Sequence, residues 1–401
     1  MIPANERVAL LRHELEESGL QALVCGLPTN VLLLTGYWPV LGTAVAMVNR
    51  TGRVGLIAPE DERDLAERGW ADEVHLLGPG SLSDPRDALG LLHGPLAQCL
   101  RGLELGSGTI GIETGPVTEP APYVAFNLYG ESLHDALRRA LPAASFEPAE
   151  ERLARLRAVL TPDERGRVRL ACHVAGEAFA EGAARLRAGM TEAEVARGFR
   201  GQLATRGVAA PGVQRADGFV FCMSGLNSAR AYGSHARSTA RLVRKGDLVL
   251  VHCNSYVDGY WTDITRTYCL GSPPVRLREM YDAVLGARAA ALATAGPGVE
   301  ARAVDQAARD VLAARGLGAA FRHPAGHGVG FAAIDHNARP RLRPGSPDVL
   351  LPGMVCNIEP AVYLDDTGGL RHCDMVAVTD SGMELLTPFQ ATLDELTVGA
   401  R

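Results

Sequence analysis

Apolar positions recur along this chain with both helical and strand periods. Residues 5–18 carry the pattern of an amphipathic helix, with Asn5 as cap and Gly19 as stop. Leu20–Cys25 then reads as a short buried strand, and Val31–Leu34, Ala44–Val48 and Val54–Ala58 read as further strands with helical patterns between and after them. That alternation predicts an α/β domain over residues 1–150. Asp84–Leu105, rich in Gly, Pro and Leu, gives no clear element, and no catalytic cluster is visible in this half.

A second domain is expected over residues 151–401, with a helix at Arg152–Val159 as the connector. Thr161-Pro162-Asp163-Glu164 is a strong helix start: a threonine cap, proline in the first turn and Glu three residues after the cap. Thr191-Glu192-Ala193-Glu194 repeats the logic, and its helix is expected to stop at Gly207. A faint internal repeat follows. Ala188-Gly189-Met190-Thr191-Glu192 leads into a helix ending Ala204-Thr205-Arg206-Gly207, and Ala295-Gly296-Pro297-Gly298-Val299-Glu300 into one ending Ala313-Ala314-Arg315-Gly316. Two copies of helix–helix–strands predict a duplicated domain with its site at the join.

Composition narrows the class. Of 401 residues, 47% are hydrophobic and 21% charged, which suits a soluble globular protein of two domains. A net charge of −6 gives no reason to expect nucleic acid or an anionic membrane as partner. The eight cysteines are scattered, without a CxxC pair, as in a reducing cytoplasm. Met1 to Arg12 is polar, so no signal peptide is expected, and no apolar run approaches the ~20 residues of a membrane span.

Candidate chemistry collects in the second half. Asp247–His252 reads as a strand, Tyr256–Gly259 as a turn and Tyr260–Leu270 as the returning strand, so His252 and Asp263 face each other across a hairpin. Glu359 ends a strand at Met354–Ile358, and Cys373 shares a strand, Leu370–Thr379, and a face with Arg371. Asp263, His327 and Glu359 make a mixed set of one nitrogen and two carboxylates that suits Mn, Fe, Co or Zn. Gly326-His327-Gly328-Val329-Gly330 lacks the spacing and the strand-to-helix context of a nucleotide loop; its glycines let backbone approach closely.

These segments, with Asp263-Ile264-Thr265-Arg266-Thr267, Asn357-Ile358-Glu359-Pro360 and Arg371-His372-Cys373-Asp374, resemble the metal-site motifs of the pita-bread superfamily. That superfamily includes prolidase, Xaa-Pro aminopeptidase, methionine aminopeptidase and the metal-independent creatinase. Its hydrolytic metalloenzymes carry ligands in the order Asp, Asp, His, Glu, Glu. The matching positions here read His252, Asp263, His327, Glu359 and Cys373, so the first and the last depart.

The resemblance implies an α+β architecture, a creatinase-type α/β domain followed by a pita-bread domain, in a homodimer. It implies a hydrolase acting on a C–N bond of a small molecule or short peptide. His235 and His336 match substrate-contacting histidines; the nine-residue gap from His327 to His336 implies an insertion, and the usual acid beside it is Asn337. Tyr37 and Trp38 match a position where the first domain helps close the site, with ordinary core packing as the alternative; His323 is expected as a structural neighbour of the site, and Arg371 either as a substrate-carboxylate anchor or as ion-paired structure beneath the site. The departures argue against a dinuclear centre, because carboxylates bridge two cations and an imidazole or a soft, monodentate thiolate does not. The expectation is one divalent ion at most, held by Asp263, His327 and Glu359 with His252 or Cys373 as a fourth ligand, with a metal-free site as the alternative. A lyase of the same fold and a non-catalytic binding protein are the rival readings.

Overall fold

The computed structural model describes residues 5–40, 44–78, 83, 88–113, 130–232, 237–332 and 335–399, and the chain divides into two compact units, Met1–Arg157 and Ala158–Arg401.

The first unit runs α1 (Asn5–Ser18), β1 (Ala22–Cys25), α2 (Pro28–Thr35), β2 (Val45–Asn49), β3 (Val54–Pro59), a short 3-10 turn at Glu60–Glu62, α3 (Arg63–Ala66), β4 (Glu73–Leu77), α4 (Ala88–Gly102), β5 (Ser107–Ile112), α5 (Gly130–Ala140), β6 (Ala143–Pro148) and α6 (Glu150–Ala158). Its six strands form one mixed sheet in the order β4-β3-β2-β1-β5-β6. The pairs β1–β2 and β2–β3 are antiparallel and the others parallel. Ala22, Val24, Met47, Ile57 and Ile110 of the sheet pack against Leu92, Leu96 and Cys99 of α4, Leu103 just beyond it, and Leu137 of α5. The segment that gave no clear element thus supplies a core helix.

One expected strand is a helix. Val31–Leu34 lies in α2, which Pro28 opens and the left-handed Gly36 (φ 74°) closes. A four-residue apolar run buried on every side has no period to distinguish helix from strand, and the flanking proline and glycine decide it.

The second unit begins with the helix pair α7 (Pro162–Arg185) and α8 (Glu192–Ala209). Both have the reciprocal capping box read from sequence, at Thr161/Glu164 and Thr191/Glu194. α8 runs past the expected stop at Gly207 to Ala209. Then come β7 (Ala216–Ser224), β8 (Leu248–Val257), β9 (Tyr260–Trp261) and β10 (Ile264–Leu270), followed by a second helix pair, α9 (Val275–Thr294) and α10 (Ala301–Ala314). The last strands are β11 (Val355–Ile358), β12 (Ala361–Leu364), β13 (Gly368–Arg371), β14 (Asp374–Val378), β15 (Met383–Leu385) and β16 (Thr397–Val398). One sheet runs β16-β10-β8-β7 with β9 on β8, a second β11-β14-β15, and β12 pairs β13. Helix pair, strands, helix pair, strands is the duplicated pattern of a pita-bread domain.

Two isolated bridges fix the segments around the site: Thr265 of β10 pairs Cys373, which lies between β13 and β14, and Gly328 of the loop before β11 pairs Cys356 of β11. The expected continuous strand Leu370–Thr379 is therefore broken. Arg371 ends β13, Cys373 stands alone against Thr265, and Asp374 starts β14 in another sheet. The buried Arg266 fixes this junction by donating to the carbonyls of Cys373, Thr387 and Phe389 and to Asp374. All eight cysteines are buried and outside disulfides. Among the described residues no helix is long and apolar enough to cross a membrane.

Candidate metal centre

The site rests on the β7–β8–β10 face. Cross-strand register places Phe221, His252 and Thr265 in one row. The next row holds Phe219 and Asn254, and the same register carries Asp263 beside Asn254, since Thr262 N donates to Ser255 O at 2.7 Å. The two-residue period points all these side chains to one side of the sheet. His327 arrives from the opposite element. Gly326 lets that loop press on β11: a Cβ there would lie 2.1 Å from Asn357 O. Asn357 Oδ1 in turn accepts from His327 N at 2.7 Å, and Glu359 N donates to Ala325 O at 2.8 Å.

Asp263 is the hub. His327 Nε2 lies 3.5 Å from its Oδ2, His252 Nδ1 lies 3.7 Å from its Oδ1, and Cys373 Sγ lies 3.6 Å from its Oδ1. The thiol donates to Asp263 O at 3.1 Å. Arg371 Nη1 stands 3.8 Å from Glu359 Oε2, and its Nε donates to Thr265 Oγ1 at 3.0 Å. Thr265 Oγ1 is also 2.9 Å from His252 Nδ1. The half-buried His336 meets the His327 ring edge-to-face, with centroids 4.8 Å apart. His323 sits behind: its Nδ1 donates to Pro324 O at 2.7 Å and its Nε2 accepts from Tyr363 at 3.0 Å.

Burial and charge set the protonation states. Burial alone would raise Asp263, but His252, His327 and Arg371 around it hold it well below the carboxylate range. Burial alone would depress His327, but Asp263, with Glu359 behind it, lifts it to about 9. Without an ion the ring therefore keeps a proton on the edge that faces Asp263. Burial raises Glu359 to about 7, against the pull of Arg371. Burial, with Arg371 second, lowers His252 to about 4. Burial, aided by Asp263 and Glu359, pushes the Cys373 thiol well above its ordinary value.

The donor set can be tested against a cation from this geometry. Donor atoms of Asp263, Glu359 and Cys373 lie within 4.8 Å of one another, as do those of His327, His336 and Glu359. Ligands to one ion at ~2.0–2.3 Å stand at such mutual distances, so either set, the two sharing Glu359, could hold a single divalent ion. For a pair of ions the donors are poor: among the described residues the clustered carboxylates are Asp263 and Glu359, Arg371 Nη1 stands 3.8 Å from the latter, and burial disfavours the Cys373 thiolate.

Six residues expected at the site thus come together: His252, Asp263, His327, Glu359, Arg371 and Cys373, with His336 against His327. His235 lies outside the described residues. Tyr37 and Trp38 belong to the first unit, where the Tyr37 ring is buried and its hydroxyl donates to Glu62 at 2.5 Å, and Trp38 is half-buried. Thr265 and Asn357 were not expected. Thr265 was within reach of the sequence, since it follows Asp263 by one strand period. Asn357, a strand residue supporting a loop thirty positions away, carries no such signal.

Comparison with known proteins identifies the family. Residues 166–380 match the metallopeptidase family M24, and residues 7–159 match the creatinase/prolidase N-terminal domain. The chain is 25% identical to the Xaa-Pro dipeptidase of Pyrococcus horikoshii over 389 residues, covering 97% of this chain and 99% of that one. It is 34% identical to the probable dipeptidase PepE of Mycobacterium bovis over 277 residues, covering 66% and 70%. The solved Xaa-Pro dipeptidase of Bacillus anthracis superposes with a TM-score of 0.79 over 98% of this chain and all of that one, at 24% identity, a likeness of fold. With a family match spanning residues 166–380 and the matching N-terminal domain before it, the chain belongs to metallopeptidase family M24.

Proposed function

We propose that the chain is a hydrolase of a C–N bond in a small polar substrate, a short peptide or amide-like compound, working from an altered M24 site. One observation carries this reading: Asp263, His327 and Glu359 converge in a buried cleft, while His252 and Cys373 stand where the family pattern has carboxylates. Relatives named as dipeptidases support it. The ligands to at most one ion of Mn, Fe, Co or Zn are Asp263, His327 and Glu359, with Cys373 or His336 as the fourth. When bound, such an ion supplies Lewis-acid polarisation and a lowered pKa for water. The residues do the rest. In the ion-free cleft Glu359, lifted to about 7, can instead take a proton near neutral pH and give it back. Arg371, held by Thr265 and Glu359, offers a fixed cation for a substrate carboxylate. His235 is the second proton carrier and Trp38 a substrate contact on the strength of the resemblance.

A second reading has its own observation. Asp263 and Glu359 are offset by Arg371 and a protonated His327, so the site is charge-balanced with no ion. A metal-free cleft, either creatinase-like or a binding site without turnover, is therefore electrostatically self-consistent. Elemental analysis of protein purified without chelator, with a substrate screen of wild type, Glu359→Gln, His235→Ala and Cys373→Ala, separates the readings. Turnover lost in Glu359→Gln and in His235→Ala, and less affected in Cys373→Ala, is expected. Turnover that survives loss of both Glu359 and His235 overturns the proposal.

A further inference from the structure

The Thr265 hydroxyl lies between two groups with different hydrogen-bonding roles. Its Oγ1 is 3.0 Å from Arg371 Nε and 2.9 Å from His252 Nδ1. A guanidinium nitrogen only donates, so Oγ1 accepts there. Thr265 has no exposure to solvent, so its own proton needs an acceptor inside the protein. Among the described residues the acceptor in reach is His252 Nδ1. Were Nδ1 protonated instead, Oγ1 would receive two donors and the hydroxyl proton would be buried without a partner.

We propose that Thr265 fixes His252 in the tautomer that carries its proton on Nε2, so that His252 meets a substrate oxygen as a hydrogen-bond donor and is not a metal ligand. The inference rests on the reading of this cleft as a substrate site. Nδ1 is taken by Thr265, and Nε2 with a proton has no lone pair to give a cation. The ring has little freedom to exchange the two, since it stacks on Phe221 with planes 12° apart and centroids 6.3 Å apart. Its side chain keeps 12% exposure, whereas Asp263 beside it keeps 4%, so the ring is the more accessible of the two. The groups it fits are the carbonyl or carboxylate oxygens of an amide or short peptide. A neutral donor thus stands at the position where the family pattern has a carboxylate. Thr265 acts through His252 and is a positioning residue.

The test reads the imidazole directly. The full-length chain is labelled with ¹⁵N-histidine, and two-bond ¹H–¹⁵N correlations are recorded near neutral pH; His252→Gln identifies the His252 signals by their loss. The expected pattern has Nδ1 unprotonated and Nε2 protonated. Thr265→Val, which keeps the shape and removes the hydroxyl, should abolish that pattern, and Thr265→Ser should restore it. If Thr265→Val does not fold, the wild-type spectrum decides alone. Zinc ions added as a probe should leave the His252 nitrogens where they are. A protonated Nδ1 in wild type, an unchanged pattern in folded Thr265→Val, or a zinc-induced shift at His252 as large as that at His327 overturns the proposal. The spectrum needs no turnover. A chain that hydrolyses nothing yet shows the Nε2-protonated ring would sink the hydrolase reading and keep this one.

Discussion

Restoring the two carboxylates should restore a second ion. The perturbation is His252→Asp combined with Cys373→Glu. Both positions adjoin the same oxygen: His252 Nδ1 is 3.7 Å and Cys373 Sγ 3.6 Å from Asp263 Oδ1. With the His327 proton released so that the ring can act as a ligand, the site holds two negative charges, on Asp263 and Glu359, and one positive charge on Arg371. One divalent ion leaves it one charge positive, or neutral if Cys373 ionises. Two leave it two or three charges positive inside a buried cleft. At ~4 Å and an effective dielectric near 20, a pair of unit charges is worth about 4 kcal/mol, so a carboxylate beside a divalent ion gains about 8 kcal/mol before desolvation. Desolvation and strain consume most of that. If only ~3 kcal/mol survives for the two carboxylates together, the second ion still binds more than a hundredfold tighter. The assay is elemental analysis after equilibration with manganese and desalting. Wild type should hold one ion per chain or fewer, and the double variant should approach two. Two stoichiometric ions in wild type would refute the charge argument, as would a folded double variant that holds no more than wild type.

Three further outcomes are expected. Simple Xaa-Pro dipeptides should be cleaved poorly even with added manganese: losing about 3 kcal/mol of transition-state stabilisation with the second cation slows the reaction roughly a hundredfold, and brisk manganese-stimulated turnover would contradict this. Arg266→Leu removes a fully buried cation that pairs with Asp374 and donates to Cys373 O at 2.7 Å, so urea unfolding should show a loss of about 3–5 kcal/mol, nearer the lower figure because Arg288 also pairs with Asp374; a loss under about 1 kcal/mol would show that the junction does not depend on it. Burial, then the Arg371 charge, depresses His323 from 6.5 to about 3. The unfolded chain therefore takes up a proton that the folded chain refuses, and stability falls as pH drops from about 6.5 toward 3, by up to about 1.36 kcal/mol per pH unit for this one group. In His323→Gln that part of the slope should vanish from urea midpoints measured against pH, and an unaltered slope would exclude His323 as a cause.

The fold was legible where a local rule acts alone. Thr161 and Thr191 announce their helices because a capping box is complete within four residues. The duplicated helix pairs could be read because each copy starts with its own glycine-containing turn. The α2 segment misled because Val31–Leu34 is buried on all sides, which erases the period that would identify it. Leu370–Thr379 misled for a different reason. Nothing in its own pattern marks a break, because the break is imposed by a distant partner: Thr265 bridges Cys373, and Arg266 holds its carbonyl. The two-residue period that would have put Arg371 and Cys373 on one face fails at that bridge, yet both side chains reach the site, Arg371 from the end of β13 and Cys373 from its bridge to β10.

The site shows the same division between local and distant causes. The identity and order of Asp263, His327 and Glu359 are local facts of three short motifs. What the departures at His252 and Cys373 mean is not local, because it depends on what each one meets. Both flank Asp263 Oδ1, so a carboxylate at either place would set two like charges together with no second cation to screen them. With a second ion absent, a neutral ring and a protonated thiol are the species that this oxygen tolerates. Arg371, tied to Thr265 and facing Glu359, supplies the remaining positive charge. The two substitutions are therefore two halves of one change in charge. The histidine half also brings something a simple loss of ligand would not: a ring oriented by Thr265 and stacked on Phe221, with its outer nitrogen left for a substrate oxygen. A site that had only decayed would have no need to order that ring.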